Sequence, residues 1–247
     1  MKYKVSCEQD HLEVRIILFL RLVWLVGGVF PKPGEVSLAH HGVLFLDELP
    51  EFKRSSLEVL RGPMEDRKVS ISRIQANLTY PCNFMLVASM NPCPCGYLGD
   101  KERECKCTPA QIQNYKNRIS GPLLDRIDLH IEVPSVKFEN FKNIEEESSF
   151  KIKERVKRTR KIQQERYAEY GIYTNSELTP KLIEKFCILQ PSSENILEKY
   201  FQKYQLSARS YSKILKIART IADLEESKNI QDIHILEAIR YRFMDKR

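Results

Sequence analysis

Apolar residues gather along this chain in three short runs, each bordered by polar side chains. Gly42-Val43-Leu44-Phe45-Leu46 stops abruptly at Asp47-Glu48, and Phe84-Met85-Leu86-Val87-Ala88 stops at Ser89-Met90-Asn91. Leu129–Val133 follows Asp125-Arg126-Ile127-Asp128. Unbroken apolar runs of this length suit strands covered on both faces, as in a parallel sheet. Between the first two runs, Lys53–Asp66 predicts a helix with Leu57, Leu60 and Met64 on one face. Lys68–Arg73 and Ala76–Tyr80, set around Ile74-Gln75, predict a β-hairpin. Beyond residue 150 the spacing turns helical: Tyr211, Ile214, Leu215, Ala218, Ile221 and Ala222 share one helix face. A last helix starts at Asp232 and runs through Ile235, Leu236, Ile239 and Phe243. The pattern predicts an α/β core followed by a helical domain.

Open α/β sheets bind ligands at the carboxyl ends of their strands. An acid pair there suits nucleotide hydrolysis: Asp47 would hold Mg²⁺ through its water shell and Glu48 would polarise the attacking water. The plainer alternative is that the two acids cap the next helix. Asn91, a polar amide at the tip of a neighbouring strand, can orient a water beside a phosphate. Arg209 falls in the first turn of a helix behind Ser207 as N-cap. A cation there opposes the helix dipole, which suits an anion nearby.

Cys93-x-Cys95 and Cys105-x-Cys107 are two close pairs around a loop containing Gly96 and Gly99. Four thiolates satisfy the tetrahedral needs of structural Zn²⁺, although single-residue spacing is tighter than the usual C-x₂-C. Unligated or redox-labile thiols are the alternative. Cys7, Cys82 and Cys187 are expected to be unrelated, buried or free, and His40 and His41 have no partner set for a metal. Seven cysteines in 247 residues without an export signal point to a reducing compartment, hence to the cytoplasm. The apolar run Ile16–Val26 is broken by Arg21 and is too short for a membrane span. The net charge of +7, with a pI near 9.0, permits nucleic-acid contact. Lys151–Arg166 is densely basic, either a solvated helix face or a phosphate-contacting surface.

Four segments, in this order, resemble one family closely: PGEVSLAHHGVLFLDELPEF, VASMNPCPCGYLGD, NRISGPLLDRIDLHIEVP and LSARSYSKILKIARTIADL. They are similar to the ComM/YifB-type magnesium-chelatase-like AAA+ ATPases, over roughly Gly27 to Arg247. The resemblance implies a partial AAA+ P-loop NTPase sheet at 27–136, carrying Walker B, hairpin, sensor 1 and the cysteine insert. It further implies a linker at 137–149 and a helical lid domain at 150–247. In its terms Arg126 looks like the finger that a neighbouring subunit points at the γ-phosphate, with Arg118 as the alternative, and Arg209 takes the sensor-2 position. ATP and Mg²⁺ are the implied ligands, and the intact protein is expected to form a hexameric ring that remodels DNA in recombination or natural transformation. A motor subunit of magnesium chelatase is one alternative, and a non-catalytic zinc-bearing interaction module is another.

The 247 residues contain no G-x-x-x-x-G-K-S/T, the loop whose amides and lysine cradle phosphates. The first 26 residues do not resemble the family. One codon choice for the family's peptide before V-G-G, read one base late, encodes DHLEVRIILFL, which is Asp10–Leu20. Residues 1–26 are therefore expected to be an out-of-frame leader, with frame regained between Arg21 and Val26. A natural short paralogue with an unrelated leader is the opposing expectation. The upstream nucleotide sequence tests the point, since a P-loop reading frame must lie there if frame was lost.

Overall fold

The computed structural model describes residues 14–17, 26–27, 32–73, 76–100, 102–134 and 147–242. They belong to two compact units, Met1–Ile127 and Asp128–Arg247. Cys7, Arg21, Phe243 and residues 135–146, most of the predicted linker, lie outside the described residues.

In the first unit, strand β1 (Val14–Ile17) is followed by an antiparallel pair, β2 (Val26–Gly27) and β3 (Lys32–Pro33), and by helix α1 (Glu35–Leu38). Next come β4 (Val43–Leu46), α2 (Arg54–Val59), α3 (Arg61–Asp66), β5 (Lys68–Arg73), β6 (Ala76–Pro81) and β7 (Met85–Ala88). Helices α4 (Pro109–Lys116) and α5 (Gly121–Leu124) complete the unit. The sheet order is β1-β4-β7, with β4 in the middle and parallel to both neighbours. Leu44 and Leu46 are fully buried, as a central strand of a parallel sheet requires.

Two hydrogen bonds at the strand entries fix the register of β4 against β7. The His41 N–H donates to the Asn83 carbonyl at 2.7 Å, and the Asn83 N–H donates to His40 Nδ1 at 3.0 Å. Val43 then faces Met85, and Leu46 faces Ala88. Among the described residues nothing pairs with the outer edge of β7, where Met85 is 63% exposed.

The predicted helix over Lys53–Asp66 is two helices that part at Leu60. Pro63 has no N–H, and its ring collides with the carbonyl four residues back, so the first ladder ends at Val59. Leu57 and Leu60 are buried, as their shared face predicts. The hairpin forms, from Lys68 opposite Pro81 to Arg73 opposite Ala76, while its turn at Ile74-Gln75 lies outside the described residues. The third predicted strand does not form. Leu129–Val133 has no strand pairing among the described residues, because the His130 N–H is taken by the Tyr241 carbonyl at 2.7 Å. Leu129, Ile131 and Val133 are left exposed.

The second unit is helical: α6 (Ser149–Tyr167), α7 (Pro180–Phe186), α8 (Pro191–Tyr204), α9 (Ala208–Leu224) and α10 (Asp232–Arg240). Of the stripe read from the spacing, Ile214, Leu215, Ala218, Ile221 and Ala222 are buried in α9 against Tyr167, Leu178, Leu197, Ile235 and Ala238, whereas Tyr211, one turn from the start of the helix, is exposed. Inside this apolar core sits one carboxylate. Asp223 is completely buried and accepts Arg166 Nη1 at 2.9 Å, Arg219 Nε at 3.1 Å and Asn175 Nδ2 at 2.9 Å. Arg219 also donates to the carbonyls of Lys228 at 2.9 Å and Ser227 at 2.6 Å, and Tyr167 donates to Asn175 Oδ1 at 2.6 Å. The network ties α6, the turn before α7, α9 and the α9–α10 loop. Among the described residues no helix is long and apolar enough to cross a membrane.

Asp223→Ala should destabilise the helical unit by about 3–5 kcal/mol in urea unfolding, because two guanidiniums would keep their burial and lose their counter-charge. A loss comparable to an ordinary surface substitution would show that the network is not what holds these helices.

Burial pushes the thiols of Cys82 and Cys187 up to about 11. The folded values lie above the unfolded one, so both protons are held at about pH 8, and any stability they contribute is lost only as pH rises toward 11. Neither cysteine should react with a disulfide reagent at about pH 8 until the chain is unfolded, and rapid labelling of native protein at either would contradict this.

Candidate functional site

The carboxyl ends of β4 and β7 meet in one hydrogen-bonded corner. Asp47 Oδ1 accepts the Ser89 hydroxyl and, at 3.1 Å, the Glu48 N–H. The same Glu48 N–H lies 3.1 Å from Ser89 Oγ. The backbone of Ser89 closes the corner, its N–H donating to the Leu46 carbonyl at 2.9 Å and its carbonyl accepting the Leu49 N–H at 2.8 Å. Asp47 is thereby drawn back against the sheet edge. Glu48 is exposed and holds a left-handed backbone, φ 52 and ψ 52. A side chain other than glycine rarely accepts that conformation, and such strain gathers at functional positions.

Helix capping does not account for these acids. The short turn Leu49–Glu51 has no side-chain cap at Glu48, and α2 starts later, behind Lys53, also without one.

Asn91 lies exposed just past the tip of β7. In α4, burial pushes the phenol of Tyr115 above its ordinary range, with the charges of Glu51 and Glu48 adding to the shift and the Asn91 backbone opposing it. Tyr115 is a buried residue that sequence reasoning missed. Nothing in its local spacing marks it, whereas Ser89 was within reach: it occupies the position after Ala88 as Asp47 occupies the position after Leu46.

The two candidate arginines of this unit are held differently. Arg126, just beyond α5, has a side chain 9% exposed, paired with Glu65 at 2.8 Å and donating to the Pro122 carbonyl at 2.6 Å. Arg118 is more open and reaches the turn that follows the acid pair, at 2.9 Å from Glu51 Oε1 and 3.3 Å from the Pro50 carbonyl. Arg209 belongs to the second unit and is exposed in the first turn of α9. Its expected N-cap is present, with Ser207 Oγ accepting the Ser210 N–H at 3.2 Å.

Two residues after Asn91 begins the cysteine loop. Gly96 and Gly99 take φ of 84° and 82°, turns that side chains resist, and fold the loop back on itself. Asp100 steadies the return by accepting the N–H groups of Glu102 at 2.7 Å and Arg103 at 2.9 Å. The sulfurs of Cys93, Cys95, Cys105 and Cys107 all come within 4.8 Å of one another. Cys93 lies 3.4 Å from Cys95 and 3.6 Å from Cys105, and Cys95 lies 3.6 Å from Cys105. Tetrahedral Zn–S bonds of about 2.3 Å place sulfurs about 3.8 Å apart, so this donor set fits zinc in both chemistry and size. Backbone N–H groups, Tyr97 first, draw the Cys95 thiol down to about 6, while burial first and the neighbouring sulfurs next push Cys107 up to about 12. The crowded sulfurs thus resist ionising together unless a cation joins them. Thr108 then caps α4 through a reciprocal box with Gln111, so the loop runs from Asn91 directly to the helix that carries Tyr115.

Comparison with known proteins agrees with these features. Residues 21–141 match the family described as magnesium chelatase, subunit ChlI, and residues 146–242 match its C-terminal domain. The chain is 47% identical to competence protein ComM of Haemophilus influenzae over 221 residues, 88% of this chain and 42% of that protein. It is 44% identical to the protein YifB of Escherichia coli over 223 residues, 89% of this chain and 43% of that protein. It is 38% identical to Rv2897c of Mycobacterium tuberculosis over 205 residues, 81% of this chain and 40% of that protein. The chain therefore spans about two fifths of the length of the curated relatives it matches. With both family regions matched in order and the acid-pair corner formed between parallel strands, the chain belongs to the magnesium-chelatase-like family of AAA+ proteins.

Proposed function

We propose that this chain is the Walker B and lid portion of a ring-forming AAA+ ATPase whose parent activity is ATP hydrolysis coupled to DNA remodelling. The observation that carries the reading is the corner at the ends of β4 and β7, where Ser89 fixes Asp47 while Glu48 turns outward. Asp47 is a hard oxygen donor suited to Mg²⁺, which would supply charge neutralisation at the phosphates when bound. Glu48 polarises the attacking water, Asn91 orients it, Arg126 acts in trans from a neighbouring subunit and Arg209 contacts the γ-phosphate from the lid. The four cysteines hold a structural zinc that braces the loop between Asn91 and α4. The competence name of one relative favours DNA work in natural transformation, while the chelatase name of the family model favours metal insertion into a porphyrin. Branched-DNA unwinding against protoporphyrin metalation separates the two.

The 247 residues carry no phosphate-cradling loop. A non-catalytic interaction module built on the four-cysteine loop is the second reading, favoured by the convergence of the four sulfurs.

Titration calorimetry with ATP and Mg²⁺ should show weak binding, with hydrolysis no faster than background, because phosphate contacts supply both positioning and charge stabilisation. Placing the family's P-loop segment before Gly27 should restore turnover, and Glu48→Gln in that chimera should abolish hydrolysis while ATP stays bound. Vigorous hydrolysis by these 247 residues alone, sensitive to Glu48→Gln, would overturn this expectation.

Zinc should co-purify near one equivalent and be lost when Cys93 and Cys105 are changed to serine. Chelation should also lower the melting temperature, since a closed site contributes folding energy. Metal analysis finding no zinc in freshly reduced protein removes that part of the proposal.

A further inference from the structure

Helix α6 carries eight basic and two acidic residues, a net of +6 against +7 for the whole chain. Its inner face is fixed: Thr159, Gln163 and Tyr167 are buried, and Arg166 is held by the buried Asp223. The remaining seven cations, from Lys151 to Lys161, are all exposed.

They divide into two flanks of different character. Lys151, Arg155 and Arg158 share one flank by helical spacing. There Arg155 is forked onto Glu147, its Nη1 and Nη2 at 3.0 and 3.1 Å from the two carboxylate oxygens, and Arg158 reaches Glu226 at 3.4 Å. That flank is largely spent on acids from elsewhere in the unit. The other flank holds Lys153, Lys157 and Arg160 at i, i+4 and i+7, with Lys161 beside them. Lys153 and Arg160 have no ion pair among the described residues. Lys157 and Lys161 meet only acids of the same helix, Glu154 at 2.9 Å and Glu165 at 3.9 Å, in pairs open to water. Such pairs give way readily to a stronger anion.

We infer that this flank of α6, Lys153, Lys157, Arg160 and Lys161, is a contact surface for the phosphate backbone of DNA. Lys153, Lys157 and Arg160 follow one another at about 6 Å and then about 4.5 Å along a helix axis that rises about 1.5 Å per residue, a ladder of charge suited to an extended polyanion. The helix is anchored on its other side before any ligand arrives, so little ordering accompanies binding. A membrane surface fits less well. Ile152 and Val156 share one side by i, i+4 spacing, next to the buried Thr159, and Phe150 lies away from them, so the exposed apolar strip is only two residues long, whereas a lipid-binding helix needs one broad apolar face. The inference rests on the DNA-remodelling reading and adds to it a place of contact, on the helical unit, that reads charge and not sequence.

The test is fluorescence anisotropy of the full chain with labelled single-stranded and duplex DNA of two unrelated sequences, between about 50 and about 200 mM salt. The variant Lys153→Gln/Lys157→Gln/Arg160→Gln should bind both sequences at least ~10-fold more weakly, with a salt slope reduced by about 2–3. A control of equal charge loss on α7 and α8, Lys181→Gln/Lys199→Gln/Lys203→Gln, should stay within about 2-fold of the wild type. Matching circular dichroism and melting of the two variants guards against a folding effect. If the wild type binds DNA and the α6 variant matches the control, this surface is not the contact while the DNA reading stands. Failure of the wild type to bind any DNA removes both, and preference of the wild type for phosphatidylserine vesicles over DNA assigns the flank to membranes and overturns the proposal.

Discussion

The chemistry of the first unit depends on the parallel pairing of β4 with β7, locked at its carboxyl end by Ser89. The strands themselves contribute only apolar side chains. Their alignment decides which polar residues meet beyond them. Because side chains alternate faces along a strand, a slip of one residue would send Ser89 to the other side of the sheet from Asp47. The His40–Asn83–His41 bonds at the opposite end prevent that slip, so a contact at the strand entries governs geometry at the strand exits. The cysteine loop continues from the same exit, and its closure fixes where α4 begins and hence where Tyr115 lies.

The second unit solves a different problem, that of carrying eight basic residues against two acidic ones on one helix without destabilising its core. Arg166 and Arg219 share one buried carboxylate as their counter-charge, whereas the other cations of α6 stay in water. Within this closed network each member has partners, the condition under which buried ions are tolerated, and the fully buried Arg242 lies outside it, donating to the Asp128 carbonyl at 3.4 Å.

Much of this was legible in the sequence because it depends on short-range periodicity. The runs at Val43–Leu46 and Met85–Ala88, the hairpin and the apolar stripe of α9 were all read correctly in kind and nearly so in extent. The break at Leu60 follows from the backbone chemistry of Pro63, but the apolar spacing on either side spans it and conceals it. Leu129–Val133 has the composition of a strand, yet pairing is a property of two segments and one segment cannot declare it. Tyr115 and the Arg126–Glu65 pair were invisible for the same reason, since each joins residues brought together only by folding. The cysteines were legible as ligands by type, and the glycines that let such tight pairs converge stood in plain view between them.

The outer edge of β7 has a consequence for the life of the protein in a cell. A strand of four apolar residues with no charge, proline or bulge relies on its shortness alone, among the devices its own residues can supply, to discourage a second copy from adding on. During synthesis, before neighbouring segments arrive, Met85–Ala88 is a template for the same strand on another ribosome's product. Its abundance would then be set less by how stable the folded units are than by how quickly chaperones shield this one edge.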